Sequence, residues 1–222
     1  MPETKRIVIL ANSDKPGGRC VAGIELIQPP RWIRPVSARA GQELSWDERR
    51  YEDQTEPALL DIVDVRVTMH IPATVQQENW LIDSTERWVK IGQLDESTLG
   101  GFVYSEAGSL WKSDGASRNG LRNRFAPTSV ADVNDSLRLL HPTDLRIHVE
   151  NGWSGRELNG EFTFNGSSYK LRITDPNFIG AWAQVAHGTY PIANVYITVS
   201  VTEPFTDGNH YKVIAAIISK GA

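Results

Sequence analysis

The chain has 222 residues, 40% of them hydrophobic and 23% charged, and a net charge of −4. This balance excludes a disordered polymer and a general DNA-coating protein, and no apolar run is long enough to cross a bilayer. The lone cysteine, Cys20, excludes an internal disulfide framework and fits a reducing cytoplasm, so a cytoplasmic protein with no membrane partner is expected.

The first apolar run, "RIVIL", reads as a strand and not as a signal peptide. It leads into "NSDKPGGRCVAG", where Lys15, Gly17, Gly18, Arg19 and Cys20 sit together. A Gly-Gly pair permits positive φ and an anion nest of backbone N–H groups, flanked here by two cations. The same residues also suit a tight turn with solvated charges. Cys20 reads either as a thiolate activated by Arg19 and Lys15 or as a small buried hydrophobe opening a strand. Between Lys5 and Arg39 seven Lys or Arg face only Asp14 and Glu25, whereas residues 51 to 100 hold three basic and ten acidic side chains. Charge is therefore local, and its positive patches suit either an anionic ligand or solvated loops.

In "PPRWIRPVS" an extended chain places Trp32 and Arg34 on one face, a stacking platform beside a cation. Pro29, Pro30 and Pro35 are expected to push this segment to a sheet edge. In "LLDIVDV", Asp61 shares a face with Val63 and Val65, so its carboxylate needs partners. Arg34 or Arg19 is the expected partner, with the backbone N–H groups of a loop as the alternative. "QQENW" offers Glu78 and Asn79, with Gln76, as groups that match base edges. Residues 91 to 135 are rich in Gly, Ser, Asp and Asn yet contain Phe102, Tyr104, Leu110 and Trp111, which implies a packed connection with short helices near 95–100 and 129–135. Its "SRNGLRNRF" carries a second basic cluster with Arg118 and Arg122.

Beyond it, "GEFTFNGSSYKLRITD" reads as a hairpin turning at Asn165-Gly166, "VYITVSV" as a strand with one apolar face, and "YKVIAAIIS" as a strand covered on both faces. The five histidines are scattered and suggest no metal site; the spacings of zinc hydrolases, deaminases and nucleophile elbows are missing.

Taken in order, "RIVILANSDKPGGRCVAG", "RWIRPVS", "LLDIVDV", "QQENW", "ITVSVTEPF" and "YKVIAA" resemble the dual OB-containing domain family over nearly the whole chain. The resemblance implies two OB-like barrels in tandem and a nucleic-acid or nucleotide-binding role in prokaryotic defence. It places weight on the 15–20 loop, on Trp32, Arg34 and Pro35, and on Asp61, Glu78, Asn79, Asp175 and Lys212, and it supplies no catalytic constellation. "QPPRW" departs from the glycine-containing turn expected before the tryptophan.

The expected fold is mainly β: two tandem small OB-like β-barrels, residues 1–90 and 136–222, with a packed loop-rich connection at 91–135. The expected function is a module for single-stranded nucleic acid or a nucleotide, with no cofactor and no metal. Its ligand contacts are Lys15, Gly17, Gly18, Arg19, Cys20, Trp32, Arg34, Asp61, Glu78, Asn79, Arg118 and Arg122. A protein-interaction adaptor is the alternative, followed by an enzyme acting on a nucleotide or a nucleic-acid end.

Overall fold

A continuous apolar, largely β-branched run, Ile7 to Ala11, carries β1 from Glu3 to Lys15 and is buried on both faces. It pairs antiparallel with β2 (Gly18–Glu25) through a two-residue turn, and a bulge between Ile9 and Ala11 bends it. β3 (Arg31–Val36) pairs with β2 through its first half. Then comes α1 (Trp46–Arg49), a single turn held by a capping box in which Ser45 accepts from Glu48 N and Glu48 accepts from Ser45 N. β4 (Asp61–His70), β5 (Asn79–Ile82) and β6 (Val89–Gln93) follow. The sheet order is β1-β2-β3-β5-β4-β6; β4 also returns to β1, and β3–β5 is the parallel pair. This closed circuit, with a helix between its third and fourth strands, is an OB barrel. Ile7, Ile9, Val21, Ile33, Val63, Val65 and Val67 fill its interior. In β4 they follow the period-2 pattern of the strand, whereas in β1 Val8 and Leu10 on the opposite face are buried too.

The same circuit recurs downstream. The computed structural model describes residues 1–112, 115–152 and 155–219. After the short β7 (Arg124–Phe125) come β8 (Leu137–Leu140), β9 (Arg146–Gly152), β10 (Gly155–Phe164), β11 (Ser167–Ile173), α2 (Pro176–Ala181), β12 (Gly188–Pro191), β13 (Val195–Val201) and β14 (His210–Ser219). The order is β12-β9-β10-β11-β14-β13-β8, with β11–β14 parallel. β8 and β9 together occupy the position that β1 fills alone, and α2 again follows the third strand of the circuit. β10 and β11 turn at Asn165 (φ 46°) and Gly166 (φ 75°), the positive-φ pair that a two-residue hairpin turn demands.

The chain divides into two compact units, Met1–Phe102 and Val103–Ala222. Residues 91–135 are shared between them. The 3-10 helix Glu96–Phe102 belongs to the first, while Tyr104, Trp111, β7 and the 3-10 helix Pro127–Asp132 belong to the second. Leu110 N donates to the Tyr169 hydroxyl at 2.9 Å, and Trp111 Nε1 donates to Asp135, so this stretch is tied down.

Two expectations are corrected. β3 is no sheet edge: residues 31–33 pair with β2 and residues 34–36 with β5. Pro35 is tolerated because its side toward β2 lies beyond the end of that ladder. The face of β13 expected to be polar is also buried, including Thr198 and Ser200, so the strand is covered on both sides.

Candidate functional site

In the first unit the chemistry gathers where the β1–β2 hairpin meets the loop after β3. Gly17 sits at φ 91° after Pro16, the residue pattern of a type II turn. Gly18 has a different reason: a Cβ there would stand 2.2 Å from the Leu44 carbonyl oxygen. That close approach lets Arg19 and Leu44 exchange backbone hydrogen bonds, each 2.9 Å, so the hairpin is stitched to the loop. The pair is thus accounted for by a turn and a close approach, without an anion nest. The stitch draws cations together. Lys15 donates to the Gly41 carbonyl, Arg39 Nη1 donates to the Gly17 carbonyl at 3.2 Å, and Arg19 lies against Asp14. Arg39 also pairs with the buried Glu43 at 3.2 Å and keeps 43% of its side chain exposed.

Behind this rim lies a buried polar cluster. Arg34, 3% exposed, sends Nε and Nη2 to Glu78 Oε1 at 3.1 and 3.0 Å and Nη1 to Cys20 Sγ at 2.8 Å. Burial opposes the guanidinium charge, yet Cys20 and Glu78 more than restore it and hold Arg34 above its ordinary pKa. Asn79, across the parallel ladder from Arg34, is fully buried; its Nδ2 lies 3.4 Å from both Gln42 and Gln76. Its Oδ1 has no partner among the described residues. Five predicted residues therefore meet or adjoin: Arg19, Cys20, Arg34, Glu78 and Asn79. Most of them form the support of the rim, not its surface. Trp32 is half-buried on the same strand.

Asp61 does not pair with Arg34 or Arg19, which are engaged as described. It accepts from the Tyr51 hydroxyl at 2.9 Å and Ala58 N at 3.0 Å and lies 2.6 Å from Lys90 Nζ. It anchors the 51–60 loop to the barrel, as the loop-capping alternative requires.

In the second unit Arg118 and Arg122 are exposed on a loop whose Leu121 bridges to Lys170 on β11. Lys212, fully buried, staples that loop by donating to the carbonyls of Lys112 and Arg122 at 2.7 and 3.0 Å. Asp175 caps α2 through Asn177 N and Phe178 N and also accepts from Ile217 N at 3.1 Å. Trp111 is buried, and Arg138 lies over its ring at 4.3 Å. The outer face of β10 and β11 stays accessible and carries paired charges, with Lys170 2.7 Å from Glu150 and Arg172 4.0 Å from Glu157. Among the described residues no group of three or more His, Cys, Asp or Glu is placed to hold a metal ion, and no helix is long and apolar enough to cross a membrane.

A match to the dual OB-containing domain spans residues 5–217, both barrels included. The chain belongs to the dual OB-containing domain family. No curated protein and no solved structure matches it. In an OB barrel the loops between the first two strands and between the last two flank the binding face. In this dual OB chain "KPGGR" is the first of those loops and "QQE" lies in the second. Two participants escaped the sequence reading. Arg39 and Gln42 lie in an irregular stretch with no periodicity, and the nearest signal was the closing arginine of the basic run from Lys5 to Arg39.

Proposed function

We propose that this dual OB protein binds single-stranded nucleic acid or a nucleotide through the basic rim of its first barrel. The observation that carries the reading is the stitch between the β1–β2 hairpin and the loop after β3, which sets Lys15, Arg19 and Arg39 around one turn. Flexible cations at such a rim grip phosphate, and a fork-shaped guanidinium does so bidentately. Arg34, Glu78, Cys20 and Asn79 support the rim from behind, Asp61 anchors the 51–60 loop, Trp32 offers a stacking face farther along the sheet, where it pairs with Ile24, and Arg118 and Arg122 give the second barrel its own phosphate contacts. A place in prokaryotic defence rests on the family resemblance.

Fluorescence anisotropy with labelled single-stranded RNA, single-stranded DNA and duplex DNA across a salt series tests the reading. Each phosphate contact removed lowers the slope of log K against log salt by about 0.7 for a single strand. The Arg19→Ala, Arg39→Ala double variant is expected to weaken binding and flatten that slope by roughly 1.4. Binding that ignores salt, or a double variant that binds like the parent, sinks the proposal. The adaptor reading draws on one feature: β6 is paired on one side only and exposes Val89 and Ile91. Absence of binding to every nucleic acid favours it.

A further inference from the structure

The second barrel contains a cleft that the reading above does not use. It arises where the first strand of the circuit breaks. Between β8 and β9, residues 141–145 leave the ladder; Pro142 has no N–H to give, and the Asp144 carboxylate takes the Thr163 N–H at 3.0 Å where a strand would have paired. The opening is about 140 Å³, lined by Tyr104, His141, Phe162 and Phe164 with Thr143 and Thr163 among the polar groups. Its walls are fixed. Tyr104 N donates to the Leu139 carbonyl at 2.8 Å, and the Tyr104 hydroxyl donates to Glu106 at 3.0 Å. Asn165, from the hairpin turn, donates to the carbonyls of Glu106 and Gly108. His141 stacks on Tyr196 with centroids 4.4 Å apart.

We propose that this cleft seats a single pyrimidine base. Volume matches the occupant: roughly 150 Å³ holds one benzene-sized ring, and the second ring of a purine would stand outside the cleft's open mouth. The lining suits a planar ring, since Tyr104, His141 and Phe164 border it with aromatic surface and Phe162 closes its floor. The Thr143 hydroxyl donates or accepts, and the Thr163 hydroxyl, which donates to Asp144, still accepts, so together they serve the carbonyl and N–H edge of a pyrimidine that a hydrocarbon would leave unmatched. The Arg138 guanidinium already lies 4.0 Å from the Tyr104 ring centroid and 4.3 Å from that of Trp111, and only Nη2 has a hydrogen-bond partner among the described residues, Asp135 at 3.3 Å. That positive charge favours the carbonyl-bearing rings of uracil and thymine. The cleft stands at the end of β10 that turns into β11, away from the β9–β10 connection that corresponds to the "KPGGR" loop. It is a subsite separate from the basic rim, and it rests on the nucleic-acid reading only where a polymer is concerned.

The test uses the full chain with labelled oligo(dT) and oligo(dA) of equal length, and with free uridine and adenosine followed by saturation-transfer NMR. Thr163→Trp plugs the cleft from an exposed position, and Phe164→Ala removes a stacking face if the first variant fails to fold. Oligo(dT) is expected to bind about tenfold more tightly than oligo(dA), the scale of one base–aromatic stack. That ratio should fall to about one in Thr163→Trp, while the Arg19→Ala, Arg39→Ala pair weakens both polymers and keeps the ratio. Equal affinity for the two polymers, or a preference that survives in both cleft variants, overturns the proposal and leaves the rim reading standing. If neither polymer binds, the rim reading fails alone and uridine decides the cleft. A uridine signal lost in Thr163→Trp or Phe164→Ala supports it, and no signal, or one that both variants retain, overturns it.

Discussion

In the first barrel the opening strand runs unbroken from Glu3 to Lys15 and passes from one neighbour to the other at a bulge; in the second, residues 141–145 interrupt it between β8 and β9. A bulge adds one residue and keeps both ladders closed, whereas a break opens a gap that side chains line without filling. The buried polar groups differ in the same sense. The first barrel pairs Arg34 with Glu78 across its parallel ladder, and the second satisfies Lys212 with backbone carbonyls of a loop. One connectivity thus places its reachable chemistry on a loop rim in one copy and in a strand gap in the other.

The comparison is broken most directly at the Arg34–Glu78 pair. Glu78→Leu strands a buried guanidinium and is expected to cost about 3–5 kcal/mol, whereas the Arg34→Met, Glu78→Leu double variant recovers most of it. Urea denaturation measures both, and equal losses would show that the pairing is not what holds the first barrel. Gly18→Ala comes next, at up to about 3 kcal/mol, because its methyl group meets the Leu44 carbonyl, which is backbone and has little room to move. The same melts check it, and a neutral result would mean that the hairpin does not approach the 39–44 loop as described. In the second barrel Lys212→Met leaves two carbonyls without their donor and is expected to cost about 2 kcal/mol. Hydrogen exchange should rise across residues 115–124 and stay unchanged in β1 and β2.

The smallest effect depends on pH. Burial first, then the hydrogen bond to Asp61 and its charge, push the Tyr51 phenol far above its ordinary value. The native chain therefore keeps that proton after the unfolded chain has lost it near pH ~10. Its contribution is complete below that pH and is lost as pH rises beyond it. Tyr51→Phe should cost about 1 kcal/mol at neutral pH and flatten the alkaline decline, read from melts at about pH 8 and about pH 11. An unchanged alkaline slope would exclude Tyr51 as its source.

The sequence makes legible whatever is decided locally. Pro16-Gly17 and Asn165-Gly166 announce their turns because φ at those positions is a property of the residue itself. The alternation in β10 and β11 places Phe162, Tyr169, Leu171 and Ile173 inside, where they are. What depends on register between distant strands stays hidden. Glu78 meets Arg34 only because β3 and β5 run parallel, and nothing in "QQENW" or "RWIRPVS" states that alignment. Trp111 reads as a packing anchor and is one, but its partners Arg138 and Asp135, more than twenty residues away, are not announced by the stretch around it. The cleft was equally invisible, since it is made by a gap in pairing and not by a motif.

The closure of each barrel by its first strand also sets a schedule for synthesis. Glu3 pairs with Val67, so the apolar run Ile7, Val8, Ile9 and Leu10 leaves the ribosome well before the strand that completes its ladder. At about 5–20 residues per second the wait is roughly 3–13 s. During it β1 has only the β1-β2-β3 meander to shelter in, and the second ladder of β1 stays open. The apolar run of β1 thus waits on one side for its partner strand, and slowing translation between residues 25 and 67 should lengthen that exposure in proportion.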